Sequence, residues 1–358
     1  MVPAAIERDT TIPMTSRAAT GDGTAVGIAV YGTGHAGRAA IRAARAHPAV
    51  RVVAGITTSA EKVGADLGEL AGGAPLGVPA TRDVAAVLAR ADVDTVVYCG
   101  LGSPADVAVH LGAIVDAGRN AITVTGFVHP PTAIGADAAR ALHGRAVRGG
   151  ARIVGCGLNP GFLLDLLPVM WAACAMRYDR VHARRVSDMK TWGPGIHAEC
   201  GLGRPPEEAR DLETLALDES AMLVADALAL PVEGVDSRHE PYVTAVRRSH
   251  GATVVEAGTT AGFRKRCIVR SPAGVVELEW LAIFALDPAE DGVEDGCSVQ
   301  IAGDTTFGAT VHGELFADSY GATVARALNA VAPLRSLPPG LYRPDQLPLG
   351  PFARSAGA

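Results

Sequence analysis

The sequence predicts an α/β chain: a doubly wound parallel sheet, then an α+β half with a mostly antiparallel sheet. Three observations carry that expectation. Strand-like and helix-like patterns alternate from residue 26 to 155. From 253 to 315, strand patterns follow one another with no helix between them. The first strand pattern also runs directly into Gly32-Thr33-Gly34-His35-Ala36-Gly37, a G-x-G-x-x-G run.

Residues 1–24 are small and polar and read as a flexible leader. Residues 28–31 form a buried strand pattern. Gly32 permits the tight turn out of it, Gly34 lets a pyrophosphate approach the backbone, and Gly37 lets the next helix pack closely. An Ala-rich helix pattern covers 38–46 and stops at His47-Pro48, and 50–56 is the next strand. That βαβ unit is the Rossmann pattern of a dinucleotide site, with Gly32, Thr33, Gly34, His35, Ala36 and Gly37 as its phosphate loop. After the second strand an NAD site usually carries Asp or Glu. Here Thr57, Thr58 and Ser59 follow, with Lys62 beyond, a set suited to a 2′-phosphate. NADP is therefore expected ahead of NAD, which is still possible. Ser59 also suits an ordinary helix cap.

The alternation continues with a helix at 83–91 and a strand at 95–99. The loop Gly100-Leu101-Gly102 comes next, expected beside the nicotinamide ribose, although a plain turn also explains its glycines. A helix at 106–117, a strand at 120–124, a helix at 133–147 and a strand at 152–154 complete the first half. The second half opens with a long apolar helix pattern, 162–176, and a strand pattern, 180–189. One or two helices at 205–230 include Leu212 and Leu215 on the apolar face. Strands follow at 253–257, 263–270, 275–286, 298–302 and 309–315, then a helix at 319–331 and a Pro-rich tail. The expected units are a dinucleotide-binding domain at 25–156, a substrate and dimerisation domain at 157–316, and a C-terminal helix and tail at 317–358.

The net charge of −6 gives no reason to expect a nucleic-acid partner. The six cysteines show neither metal-ligand spacing nor a disulfide framework, so no metal is expected, and a reducing cytoplasm is. No apolar run is long enough for a membrane span.

Gly157-Leu158-Asn159-Pro160-Gly161-Phe162, continuing to Asp165 and Pro168, resembles a G-[VT]-N-P-G-F-x-x-D-x-L-P signature. That signature marks the 2,4-diaminopentanoate dehydrogenases and native amine dehydrogenases, relatives of dihydrodipicolinate reductase. Glu61-Lys62-Val63-Gly64, Gly201-Leu202-Gly203 and Leu337-Pro338-Pro339-Gly340-Leu341 are similar to the same group. The resemblance implies imine reduction or reductive amination of a small amine, imine or ketone with NAD(P)H, in a homodimer paired through the second domain. It also implies a glutamate just after the 120–124 strand to handle the amine proton. Here that segment reads Thr125-Gly126-Phe127-Val128-His129, with no carboxylate at Gly126 or Phe127.

The missing carboxylate directs attention to other proton carriers. His129 lies just beyond it, and Lys190 and His197 sit in a Gly/Pro-rich loop with Trp192. Asn159 suits both a bond to the cofactor carboxamide or substrate and a helix cap before Pro160. Phe263-Arg264-Lys265-Arg266 reads as a solvated strand edge or as a seat for an anion. Two alternatives stay open beside the dehydrogenase: a cofactor-binding protein without turnover, and a dihydrodipicolinate reductase proper. The second lacks its usual His-His-x-x-K-x-D run here.

Overall fold

The computed structural model describes residues 25–209 and 216–348. In the first half, β1 (Val26–Tyr31), β2 (Val50–Ile56), β3 (Ala80–Thr81), β4 (Thr95–Tyr98), β5 (Asn120–Thr123) and β6 (Arg152–Gly155) lie in one sheet. In the second half, β7 (Tyr178–Asp188), β8 (Gly234–Val243), β11 (Thr260–Ser271), β12 (Gly274–Ile283), β13 (Gly296–Gly303) and β14 (Thr306–Val311) form another. A small hairpin, β9 (Arg248–His250) and β10 (Thr253–Val255), stands apart from both. The last strand, β15 (Gly340–Tyr342), returns to the first sheet.

The first sheet runs β15-β6-β5-β4-β1-β2-β3, with every pair parallel. Its strands are buried on both faces, which is why they read as unbroken apolar runs. In β1, Ile28 and Val30 belong to one apolar cluster and Ala29 and Tyr31 to the other, so alternate residues serve opposite helix layers. Strand order reverses between β1 and β4, and the crevice at their carboxyl ends is where such sheets bind ligands.

The second sheet runs β14-β13-β7-β12-β11-β8 and is mixed: β7 and β12 are parallel, the other pairs antiparallel. One face packs under the helices Leu166–Ala172 and Leu217–Ala227, with Phe263, Leu278 and Trp280 in the shared core. The other face carries ion pairs. Arg266 Nε donates to Glu277 Oε1 at 2.9 Å, and Arg184 Nε to Glu279 Oε1 at 3.1 Å. Strand alternation thus explains the basic cluster: Phe263 is buried, while Arg264 and Arg266 face out beside Glu279 and Glu277.

Several elements differ from expectation. The helix expected over 162–176 is confined to Leu166–Ala172. Asp165 accepts the N–H groups of both Gly161 and Leu166, so the chain turns before the helix starts. β8 has no counterpart among the strands expected from the sequence. Of the 205–230 helix pattern, Leu217–Ala227 is helical, while Leu212 and Leu215 lie outside the described residues. The C-terminal segment does not trail away: the helix Ser319–Asn329 packs on the helix His35–Ala46, and Gly340 N donates to Ala151 O at 2.9 Å. No helix among the described residues is long and apolar enough to cross a membrane.

Candidate active site

The phosphate loop is built as its glycines require. Gly32 has φ +105, a left-handed value that favours glycine. A Cβ on Gly37 would run into the main-chain oxygen of Gly32, so helix and turn are in contact there. A Cβ on Gly34 would meet nothing within 4 Å; that face is open. The helix His35–Ala46 begins with no side-chain cap and no acidic residue in its first turn, so its first N–H groups stay available to an anion. These features fit a pyrophosphate.

At the end of β2 the structure corrects one expectation. Thr57 is 2% exposed, and its Oγ1 lies 2.8 Å from Thr33 Oγ1. Thr57 ties the phosphate loop to β2 and does not face outward. Thr58 is exposed and Ser59 half-buried, and Lys62 Nζ donates to Thr33 O at 3.1 Å. Thr58, Ser59 and Lys62 thus stand at the end of β2 beside the phosphate loop.

A cleft of about 260 Å³ opens at the carboxyl ends of β1, β4 and β5. Its nucleotide-side wall includes Gly34, His35, Ala36, Leu101 and Thr125. Thr125 Oγ1 donates to Gly100 O at 2.7 Å, joining the two loops, while Gly100 and Gly102 are not themselves in the wall. The wall opposite comes from β7 and β12: Arg185, Ser187 and Trp280. Trp192, Gly193 and Ile196 close one side, and Tyr320 and Thr323 another.

Asn159 enters where the chain crosses between the halves. Its Oδ1 is buried and has no hydrogen-bond partner among the described residues. Buried amide oxygens are nearly always paired, so this one stands out.

Arg185 is nearly buried, with its guanidinium 4.1 Å from the Phe316 ring centroid. Its Nη1 donates to Gly296 O at 2.9 Å and pairs with Asp295. Burial pulls its pKa down, against the opposing pull of Asp295. Trp280 Nε1 donates to Ser187 Oγ at 2.8 Å, leaving the serine O–H free to donate. Burial pushes the Cys99 thiol in the cleft up to about 12, so it stays neutral.

The three expected proton carriers are not brought to the cleft. His129 is 3% exposed, with Nδ1 2.7 Å from Thr132 Oγ1 and Nε2 3.0 Å from Asp226 Oδ2. The turn at Gly126 and Phe127, each with φ 61, carries it inward and commits both ring nitrogens. Lys190 is exposed and pairs with Asp188 at 2.8 Å. His197 lies 2.7 Å through Nε2 from Met189 O and sits edge-on to Phe284, and the residues just before it, Gly195 and Ile196, line the cleft instead. Sequence reasoning missed Arg185, Ser187, Trp280 and Tyr320. Only the alternation of β7, which puts Arg185 and Ser187 on one face, hinted at any of them.

A Rossmann sheet, an open phosphate loop and a cleft closed by a second sheet define a two-domain nicotinamide-nucleotide-dependent oxidoreductase. Residues 162–354 match the 2,4-diaminopentanoate dehydrogenase C-terminal domain, and residues 26–139 the dihydrodipicolinate reductase N-terminus. The chain belongs to the 2,4-diaminopentanoate dehydrogenase family. It is 27% identical to an amine dehydrogenase of Streptomyces virginiae over 91% of this chain and 97% of that one. It is also 27% identical to 2,4-diaminopentanoate dehydrogenase of Acetoanaerobium sticklandii, over 66% of this chain and 68% of that one. The solved amine dehydrogenase of Mycobacterium smegmatis shares the fold, with TM-score 0.82 at 21% identity over 91% of this chain and 97% of that one.

Proposed function

We propose that the protein reduces the C=N bond of a small preformed imine with NADPH, or oxidises the matching amine in reverse. The observation that carries the reading is the unpartnered Asn159 Oδ1. It stands between the phosphate loop and the second-domain wall, where a carboxamide N–H would satisfy it. When bound, the nicotinamide supplies the hydride. The chain's own residues bind, orient and exclude water. The N–H groups opening the helix His35–Ala46 hold the pyrophosphate, and Thr58, Ser59 and Lys62 hold the 2′-phosphate. Trp192, Trp280 and Ile196 make the cleft apolar, and its size restricts the substrate to a small molecule.

Arg185 and Ser187 are the donors on the far wall. Arg185 Nε and Nη2 have no hydrogen bond among the described residues and suit an acceptor or anionic end of the substrate. No carboxylate lines the cleft among the described residues. Free ammonia therefore finds no anionic partner there, whereas a preformed imine needs none. A homodimer paired through the second domain, implied by the resemblance, is part of the same proposal and is checked by light scattering.

The test is NADPH consumption against preformed cyclic imines, and against ketones with and without ammonia. Imine reduction should be the fastest. Efficient amination of simple ketones would overturn the imine preference. NADPH binding with no turnover on any substrate would favour the cofactor-binding protein instead.

A further inference from the structure

Behind the cleft loop lies a carboxylate that the reaction as described does not use. Glu219, on the helix Leu217–Ala227, is 1% exposed. Its Oε2 accepts the main-chain N–H of His129 at 3.0 Å, and the main-chain N–H groups of Phe127 and Val128 lie near enough to its carboxylate to lower its pKa. On the same side, a Cβ on Gly126 would come within 2.9 Å of Oε1. The space beside Gly126 is thus already filled by a carboxylate from another element.

The next residue makes a second tie. Ser220 Oγ donates to Asp165 Oδ2 at 2.9 Å, and the same oxygen accepts Gly161 N–H at 2.7 Å. Two adjacent side chains on one helix therefore hold two loops. One carries Thr125 into the cleft, and the other carries Asn159.

We propose that Glu219 is a positioning residue for the reaction, setting the conformation of the loop that presents Thr125 to the cleft. The proposal rests on the dehydrogenase reading. Burial pushes the Glu219 carboxyl up to about 7, against the lowering pull of the three main-chain N–H groups. The charged groups around it are Asp165, which raises it further, the neighbouring Asp218, Arg238 from β8, and Lys265 and Arg266 from β11. His129 presents its main chain, its ring being engaged by Thr132 and Asp226. Ionised, the carboxylate accepts the His129 N–H through Oε2. Protonated, it turns one oxygen into a donor facing N–H groups that cannot accept. With the carboxyl still buried on its helix, the loop therefore loosens as pH falls through about 7, whereas global unfolding, which hydrates the carboxyl, has the opposite pH dependence.

The experiment pairs two readouts on the full-length protein. Hydrogen exchange at amides 127–129, corrected for intrinsic rates, should show protection that rises between pH 6 and pH 8 in the wild type. It should show no such rise in Glu219→Gln. The wild-type kcat should carry an acid limb with a midpoint near 7. Glu219→Gln should lose that limb and turn over about tenfold more slowly at pH 8, with NADPH affinity within about twofold. Ser220→Ala, which cuts only the Asp165 tie, should keep the limb. Wild-type protection that does not change between pH 6 and pH 8 overturns the proposal even if the variant fails to fold. So does an acid limb that survives in Glu219→Gln. Exchange is read without substrate, so the dehydrogenase reading fails separately, as absent turnover with pH-dependent protection intact.

Discussion

Tyr320 Oη accepts the main-chain N–H of Gly193 at 3.0 Å, and the Tyr320 ring lies 6.0 Å from the His35 ring. The phosphate loop, the second-domain strap at residues 192–196 and the returning C-terminal helix meet at this contact. A Cβ on Gly193 would approach His35 Nδ1 to 3.0 Å, so the strap sits close over the loop. Burial first, and then the neighbouring Arg38, lower the His35 pKa and favour a neutral ring under the strap at pH 7. Tyr320→Phe removes the acceptor and leaves a buried N–H unpaired, a loss of about 1 kcal/mol. NADPH affinity by fluorescence titration should fall several-fold with the melting temperature nearly unchanged. Unaltered affinity would show that the strap is held by other contacts.

The two loop glycines should separate binding from folding. Gly34→Val adds a side chain into open space and should abolish NADPH binding while leaving circular dichroism and melting close to wild type. Gly37→Val drives a side chain into the Gly32 carbonyl and should destabilise the protein itself. Unchanged NADPH affinity in Gly34→Val would remove the dinucleotide assignment.

Cofactor choice should respond at Thr58, not at Thr57. Thr58→Asp places a charge on the exposed end of β2 and should shift the NADPH/NADH preference toward NADH at least tenfold in kcat/KM, ~1.4 kcal/mol. Thr57→Asp instead buries a charge against Thr33 and should lower the melting temperature. A preference that stays fixed in Thr58→Asp places the ribose elsewhere.

Arg185→Lys keeps the charge and loses the fork. It should raise the KM of substrates with an anionic or carbonyl end about tenfold and leave NADPH affinity unchanged. Equal loss across substrates with and without such a group would mean that Arg185 holds only Asp295 and the β7–β13 edge.

Glu219 should also write itself into stability. Its folded pKa, about 7, lies above the reference value of 4.5, so the folded state holds the proton more tightly. Its contribution is fully present below about 4.5 and is lost as pH rises through about 7, a change on the order of 3 kcal/mol. Denaturant melts across that window should show the wild type losing stability relative to Glu219→Gln as pH rises. Parallel curves would mean that the carboxyl titrates normally. The same geometry argues against restoring a loop glutamate. Gly126→Glu would force a non-glycine residue to φ +61, against the Glu219 carboxylate.

Much of the first half was legible because its signals are local. The turn at Gly32, the helix after it and the buried strands β1 and β2 are each specified by neighbours within about thirty residues, where periodicity and glycine chemistry act directly. The pairing of Thr57 with Thr33 spans only 24 residues, yet which way the hydroxyl points was decided by packing. The cleft itself was decided by long-range assembly. Glu219 reaches His129 across 90 residues, and Tyr320 reaches Gly193 across 127. A histidine or lysine in a loop looks catalytic in sequence until a distant carboxylate or carbonyl claims it, as Asp226, Asp188 and Met189 claim His129, Lys190 and His197. The sequence by itself determined the two kinds of sheet and the dinucleotide loop, because backbone conformation and burial pattern follow from near neighbours. Only the tertiary structure decided which polar side chains face the cleft, because that depends on partners brought together when the two halves close.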